Sequence, residues 1–305
     1  MNVSFRQLRL FKALAETGSV TAASRLMHVT QPTASMQLKE LSSAVGMPLF
    51  EFVGKKIYLT EAGKALALTA QSISQEWESF EQTISAMKGL KTGTLKISVV
   101  STAKYFIPAL VGSFSSEYPD VDIALEVLNR DAVVARLEKN MDDMAIMTQP
   151  PEHLEIEDEA FLDNPLVCIA PKNHPFKNKK IGIKDLADEY FVMREIGSGT
   201  RMSCDLFFKD QKVYPKIRLT LGSNEAIKQS VSSGLGLSIV SIHSLTEYDL
   251  KETVCILQVK DFPIKSQWHI VTPRGKRLSP IAKVFHDQLL TKAIALNSNA
   301  RKISL

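Results

Sequence analysis

Apolar residues near the start of the chain recur in short blocks at helical spacing, and small polar residues separate the blocks. Gly18 can end a first helix, and Ser19 can begin a second one by accepting a hydrogen bond from a free backbone N–H group. Ala22, Ala23 and Leu26 should form the apolar face of this short helix. The pattern predicts two helices joined by a tight turn.

A second helix is predicted after Thr30, which can cap it, with Pro32 in the first turn where a missing N–H group costs nothing. Leu38 and Leu41 should face inward. The remaining faces carry mainly short polar side chains that suit base edges and phosphates in a DNA major groove. We therefore expect a helix-turn-helix whose DNA-binding residues include Gln31, Pro32, Thr33, Ser35 and Lys39. An ordinary pair of packed helices is the alternative.

Two short alternating runs follow, between Glu51 and Thr60, on either side of Gly54. This pattern predicts a β-hairpin, or wing, with Lys55 and Lys56 at its tip. Lysines at that position could contact phosphate, so both join the expected DNA-binding residues.

Residues 61–90 contain no proline, and their apolar positions alternate between spacings of four and three. This period of 3.5 predicts one long helix with a heptad stripe. A helix of thirty residues would be about 45 Å long and could not bury that stripe by itself. The stripe could pack on its own domain, but we expect it to dimerise, and the dimer to form a dimer of dimers. The expected dimerisation residues are Ile73, Trp77, Phe80 and Ile84.

Beyond a hinge at residues 91–94, strand-like and helix-like segments alternate to the end of the chain. Such alternation predicts parallel sheets with crossover helices, arranged as two α/β lobes around a cleft. The last strand and helix could return to the first lobe. The expected domains are residues 1–60 for DNA binding, 61–90 as linker helix, and 91–305 for effector binding. Within the last, lobe I would be 91–163 and 267–305, and lobe II 164–266.

Charge separates the two ends of the chain. The chain has a net charge of +4, and its first sixty residues hold seven lysines and arginines against three acids. The remaining residues are therefore neutral overall, which suits a protein that binds DNA through its N-terminal part. No apolar run approaches the roughly 20 residues that cross a bilayer, and no signal peptide is evident. Three isolated cysteines fit buried thiols in a reducing cytoplasm, with a redox switch as the alternative.

Polar residues follow several predicted strands at the points where helices begin, which is where α/β folds bind ligands. The expected effector-binding residues are Ser101, Thr102, Thr148, Gln149, Ser198, Thr200, Arg201 and Asn224. Arg201 and Arg194 are the strong cations beside these segments and suggest an anionic effector. Helix capping explains the hydroxyl groups equally well, and a surface ion pair could explain either arginine.

The sequence motifs do not indicate a catalytic function. The chain has no GxSxG, HExxH, Walker loop or cysteine–histidine pattern, and its histidines lack metal-ligand spacing. We expect no catalytic residue, no metal and no bound cofactor. An enzyme built on the two-lobed domain remains an alternative, as does an architectural DNA-binding protein without a ligand.

The chain resembles LysR-type transcriptional regulators over essentially its full length. The most specific matches are Phe5–Leu8, Gly18–Ala23, Thr30–Thr33 and Leu59–Gly63. The resemblance implies an α+β multidomain protein: a winged helix-turn-helix, a long linker helix, and a two-lobed, periplasmic-binding-protein-like effector domain. Most members have arginine where this chain has Met36, which cannot donate a hydrogen bond and would either contact a thymine methyl group or only pack.

Three further segments are similar to the CbbR group of regulators. They are residues 31–37 (QPTASMQ), 161–166 (FLDNPL) and 194–201 (REIGSGTR). CbbR proteins regulate carbon-fixation operons and sense phosphorylated metabolites or NADPH. The resemblance therefore implies a phosphorylated metabolite or NADPH as effector, with regulation of another metabolic pathway as the alternative.

Overall fold

The computed structural model describes residues 2–54, 56–87 and 92–303, and the side chains of residues 86, 87 and 294–303 are not among those described. The chain divides into two compact units, essentially the first 88 residues and the remainder. The predicted hinge includes Lys91, and the predicted wing tip includes Lys55. Both of these residues lie outside the described part of the chain.

The first unit begins with three short helices and a hairpin. Its elements are α1 (Phe5–Thr17), α2 (Val20–Leu26), α3 (Gln31–Val45), β1 (Phe50–Val53) and β2 (Lys56–Leu59). Gly18 ends α1 in the left-handed conformation, with φ of 62°. Ser19 and Thr30 accept hydrogen bonds from backbone N–H groups at the starts of α2 and α3, as the sequence predicts.

The core of this unit holds most of the residues that were expected inside, including Ala23, Leu38 and Leu41. Leu26 is an exception, because its side chain is 59% exposed. The helix α2 has only seven residues and buries the face of Val20, Ala23 and Ser24, so its last residue points away from the core. The prediction that Leu26 lies on the buried face is wrong.

One long helix, α4 (Glu61–Met87), completes the first unit. Its first half packs on the preceding core through Leu66, Ala67 and the fully buried Ala70. The indole of Trp77 lies 5.6 Å from the ring of Phe5 on α1. Residues 88–90 of the predicted linker lie outside the described residues. The heptad stripe therefore packs partly on its own domain, which is the alternative that the sequence left open.

The second unit starts with a lobe built around one sheet. Its first elements are β3 (Gly93–Val100), α5 (Ile107–Glu117), β4 (Val121–Leu128), α6 (Arg130–Glu138), β5 (Met144–Met147) and β6 (Ile156–Asp163). A 3-10 turn, Ser101–Tyr105, joins β3 to α5. The strands β4 and β5 lie parallel to β3 on its two sides.

A second lobe follows. It contains β7 (Leu166–Pro171), β8 (Lys180–Ile181), β9 (Tyr190–Arg194), α7 (Gly199–Asp210), β10 (Lys216–Leu221), α8 (Asn224–Ser232), β11 (Ser238–Ser241), β12 (Val254–Ile256) and β13 (Gln258–Val259). The strand β7 lies between β11 and β12, and β9 pairs with β10. A bridge between Phe191 and Leu237 connects these two groups of strands.

The chain then returns to the first lobe through β14 (Gln267–Pro273) and α9 (Pro280–Ile303). The sheet order is β4-β3-β5-β14-β6, so the last strand lies inside the first sheet. Two crossings of the chain therefore connect the lobes, near residues 164 and 266. The fully buried Trp268 and Phe285 place the returning segments in the core of the first lobe.

The sheets differ from the parallel arrangement that the alternating pattern predicts. The strand β14 runs antiparallel to both β5 and β6, and β7 runs antiparallel to β11 and β12. The strand β6 carries the acidic residues Glu157, Asp158 and Glu159. This strand lies at the sheet edge, where charged side chains remain in water.

Candidate functional site

The exposed face of α3 carries the polar residues that the sequence assigns to DNA. Ala34, Leu38 and Leu41 are buried on the opposite face, so the helix is fixed in rotation. Gln31 donates to the Ser35 hydroxyl at 3.0 Å. Of the predicted set, Gln31, Pro32, Ser35 and Lys39 are exposed, and Thr33 is half-buried beside the Thr30 cap. The helix thus presents short hydrogen-bonding side chains to solvent. The apolar side chain of Met36 is exposed on the same helix.

The hairpin holds one predicted basic residue, Lys56, within the described part of the chain, and Lys56 is exposed. Val53 pairs with Lys56 across the hairpin, and Phe52 pairs with Ile57. Phe52 and Val53 are large exposed apolar residues, which the sequence analysis did not single out. The wing therefore combines a cation with apolar surface.

The second half of α4 leaves an apolar stripe in solvent. The rings of Trp77 and Phe80 lie 5.6 Å apart in a tilted arrangement, and both residues are about half exposed, at 49% and 52%. Ile73 is also exposed, and Ile84 is half-buried. These are the residues that the heptad analysis assigns to dimerisation.

Between the two lobes, three of the predicted effector-binding residues accept hydrogen bonds from one buried guanidinium group. Arg194 lies at the end of β9 and is 3% exposed. Its Nη1 donates to Thr102 Oγ1 at 3.2 Å and to Asn224 Oδ1 at 3.0 Å, and its Nη2 donates to Ser101 Oγ at 3.2 Å. Ser101 and Thr102 belong to the first lobe and Asn224 to the second, so Arg194 bridges the cleft.

Glu195 accepts the remaining hydrogen bonds of the Arg194 guanidinium. Its carboxylate accepts from Nε at 2.7 Å and from Nη2 at 2.8 Å, as a bidentate pair. Burial raises the pKa of Glu195, but the hydrogen bonds and charge of Arg194 outweigh it, so the net pKa lies below its usual value. Glu195 is therefore ionised at neutral pH.

The other predicted residues meet at a second interlobe contact, where α7 begins. A Cβ atom on Gly199 would lie 2.2 Å from Thr148 Oγ1, so a larger residue here would force the Thr148 side chain to shift. Gln149 donates to the Ser203 hydroxyl at 3.1 Å. Ser198 caps α7 by accepting from the Arg201 backbone N–H group. Thr200, in the first turn of α7, is buried.

Arg201 contacts partners of its own lobe. Its Nε donates to both carboxylate oxygens of Asp205, at 2.8 and 3.0 Å, one helical turn away. Its Nη1 donates to the Arg194 carbonyl oxygen. This is the ion pair that the sequence analysis named as the alternative to effector binding. Of these two arginines, Arg194 is the one whose guanidinium contacts the first lobe.

A further contact joins the two lobes at Glu225. Lys104 and Tyr105, in the 3-10 turn of the first lobe, donate to Glu225 on α8 at 2.8 and 2.6 Å. Burial alone would raise the pKa of Glu225, but these donors lower it to about 2. Burial and the same hydrogen bond raise the pKa of Tyr105. Next to this contact, the ring of Phe106 lies 5.7 Å from that of His243.

The bridging role of Arg194 and the contact at Glu225 were not predicted from the sequence. A signal existed for Arg194, which ends a strand three residues before a Gly-Ser-Gly segment. Nothing local distinguished Glu225, an acid in the first turn of a helix, from the ordinary preference for acids at that position.

Among the residues that the structure describes, no group of histidine, cysteine and acidic side chains could hold a metal ion. The three cysteines are free and buried, and burial raises the pKa of Cys168 to about 12. The described helices include none with the length and apolar character that crossing a membrane requires.

Comparison with known proteins identifies both parts of the chain. The family model for the LysR substrate binding domain matches residues 88–293, and the model for the bacterial regulatory helix-turn-helix protein, lysR family, matches residues 5–64. The HTH-type transcriptional activator CmpR of Synechocystis sp. is 41% identical over 289 residues, which cover 94% of this chain and 95% of that protein.

Two further relatives are similar at the same level. The RuBisCO operon transcriptional regulator of Acidithiobacillus ferrooxidans is 43% identical and covers 94% of each chain. The regulatory domain of Synechocystis CcmR, solved in complex with 2-PG, is 42% identical, with a TM-score of 0.63. It covers 66% of this chain and 97% of that one. The chain belongs to the LysR family of transcriptional regulators, which are not enzymes.

Proposed function

We propose that this regulator controls carbon-fixation genes in response to a small phosphorylated metabolite bound between its lobes. The observation that carries the proposal is the convergence of Ser101, Thr102 and Asn224 on Arg194, at the cleft between the lobes. The names of CmpR and of the RuBisCO operon regulator support the gene class. The complex of CcmR with 2-PG supports the effector class.

The proposed effector site adds Arg194 to the residues expected from the sequence. Hydroxyl groups that accept a hydrogen bond from a guanidinium still have their own protons to donate, and an anion would accept them. Thr148 and Gln149 from the first lobe, and Ser198 and Thr200 from the second, would complete the site. Arg201 would act on the effector site indirectly, by holding Arg194. Its guanidinium is paired with Asp205 and donates to the Arg194 carbonyl oxygen.

For DNA, we assign α3 to the major groove and the wing to the phosphate backbone. Gln31, Pro32, Thr33, Ser35 and Lys39 would contact the groove, and Lys55 and Lys56 would contact phosphate. Ile73, Trp77, Phe80 and Ile84 would join α4 to the same helix of a second chain. We further infer a dimer of dimers in the cytoplasm, with the domain boundaries set out in the sequence analysis.

Titration calorimetry with 2-PG and with NADPH tests the effector assignment. Wild type should bind 2-PG, and Thr102→Ala should bind it about 10- to 100-fold more weakly, as expected for a lost hydrogen bond to a charged group. Thr291→Ala, an exposed threonine on α9, is the matched control and should bind like wild type. Affinity of Thr102→Ala for its own operator should be unchanged.

Two outcomes would contradict this assignment. Equal 2-PG affinity in Thr102→Ala and wild type would remove Thr102 from the site. If wild type binds neither 2-PG nor NADPH, the carbon-fixation effector class is wrong, although the family membership stands.

A further inference from the structure

Every N–H donor of Arg194 is engaged. The single Nε donor and one donor of Nη2 bind Glu195, the other Nη2 donor binds Ser101, and the two Nη1 donors bind Thr102 and Asn224. A guanidinium has five such donors. An anion can reach this cation only by replacing one of the four residues that hold it.

The four partners differ in how easily they can leave. Thr102 and Asn224 are buried, and the contacts with Ser101 and Thr102 join the two lobes, so these three contacts are less accessible to a ligand. The side chain of Glu195 is 31% exposed and follows Arg194 directly in the chain. Rotation of this side chain into solvent frees two guanidinium donors without moving the backbone.

The two donors that Glu195 occupies, on Nε and Nη2, form one edge of the guanidinium. A carboxylate and a phosphate both bind such an edge through two parallel hydrogen bonds. Because Nη2 also donates to Ser101, an anion in the place of the Glu195 carboxylate would lie next to the Ser101 hydroxyl.

We propose that Glu195 is an intramolecular competitor for the effector, and that the anionic group of the effector displaces its carboxylate from Arg194. This inference rests on the proposed function, because it assumes an anionic effector in the cleft. Glu195 is thereby a specificity-determining residue: it favours ligands that offer two oxygens to this edge of the guanidinium and excludes anions that offer one contact. It also raises the effector concentration at which the regulator responds.

The test compares the affinity for 2-PG of wild type, Glu195→Gln and Glu247→Gln by titration calorimetry. Glu247 is an exposed acid of the same lobe, paired with Lys251, and serves as the matched control. Removing the competitor should tighten 2-PG binding roughly three- to tenfold, the range expected for a partly exposed charge pair. Glu247→Gln should bind like wild type.

A second variant separates competition from a structural role. Glu195→Asp keeps the negative charge beside Arg194, but its shorter side chain cannot reach both Nε and Nη2. We expect Glu195→Asp to bind 2-PG more tightly than wild type and less tightly than Glu195→Gln. Affinities at or below the wild-type value in both variants would overturn the proposal, since they would mean that Glu195 supports the site.

Inorganic phosphate distinguishes a failure of this inference from a failure of the proposed function. Phosphate should raise the melting temperature of Glu195→Gln more than that of wild type, whether or not 2-PG is the effector. If 2-PG binds neither protein but this difference is seen, the competitor role stands and the proposed effector is wrong. If 2-PG binds wild type and the phosphate difference is absent, the competitor role is wrong.

Discussion

At the scale of the residue, one carboxylate stabilises the contact between the lobes. Glu225 accepts hydrogen bonds from Lys104 and Tyr105, both from the opposite lobe, and from Ser223 within its own. Burial opposes ionisation of Glu225, but these donors bind the charged form, and the pKa falls to about 2. The carboxylate therefore remains charged and bonded across the whole physiological range of pH.

Linkage between this pKa and folding predicts how stability depends on pH. A carboxyl group whose pKa is 4.5 unfolded and about 2 folded stabilises the protein above pH 4.5, and that stabilisation is lost as the pH falls towards 2. Glu225→Gln should therefore unfold more easily than wild type at pH 7, by about 1 kcal/mol or less, because the pair is half exposed. The difference should shrink between about pH 5 and 2.

Urea denaturation of wild type and Glu225→Gln at several pH values measures this effect. The control is Glu247→Gln, which removes an exposed carboxylate from the same lobe. A stability difference between wild type and Glu225→Gln that does not depend on pH would contradict the linkage.

At the scale of the element, α4 has two different environments along its length. Its first half is buried against α1 and the rest of its own core, through Ala70 and its neighbours. Its second half exposes Ile73, Trp77 and Phe80 on one face. An exposed apolar stripe of this kind on a long helix indicates a protein partner.

A charge on this stripe should prevent dimerisation. Phe80→Glu would bury an unpaired carboxylate in the proposed seam, at a cost of several kcal/mol. We expect this variant to sediment as a monomer and to lose operator affinity. Ser72→Glu introduces the same charge at an exposed polar position of α4 and should keep the wild-type oligomeric state. A Phe80→Glu protein with the wild-type sedimentation coefficient would rule out this stripe as the dimer interface.

At the scale of the whole molecule, charge is distributed unequally between the two units. The excess of positive charge lies in the first sixty residues, and the rest of the chain is neutral overall. Binding of DNA releases counterions in proportion to the number of phosphates that lysines and arginines contact. The salt dependence of DNA binding should therefore come from the first unit.

Operator binding measured over a range of salt concentrations tests this distribution. Lys56→Ala should reduce the slope of log affinity against log salt by about one and weaken binding to all sequences alike. Lys184→Ala removes an exposed lysine from the neutral part of the chain and should leave the slope unchanged. An unchanged slope in Lys56→Ala would exclude the wing as a phosphate contact.

Local sequence determined the elements of the first unit and much of the second. A cap such as Ser19 or Thr30 binds a backbone group three residues away, so neighbouring residues decide it. The heptad spacing of α4 and the uneven distribution of charge likewise depend only on the order of residues along the chain. The polar residues at the carboxyl ends of the strands could be selected in the same way, because a strand followed by a helix places them there.

Tertiary structure alone decided how those residues meet. Ser101, Arg194 and Asn224 come from three separated segments, and their contacts depend on how the lobes close, which no local pattern encodes. The antiparallel place of β14 follows from the return of the chain to the first lobe. The bridging role of Arg194 was also tertiary, because its guanidinium contacts Ser101 and Thr102 of the opposite lobe, whereas Arg201 pairs with Asp205 one turn away on the same helix.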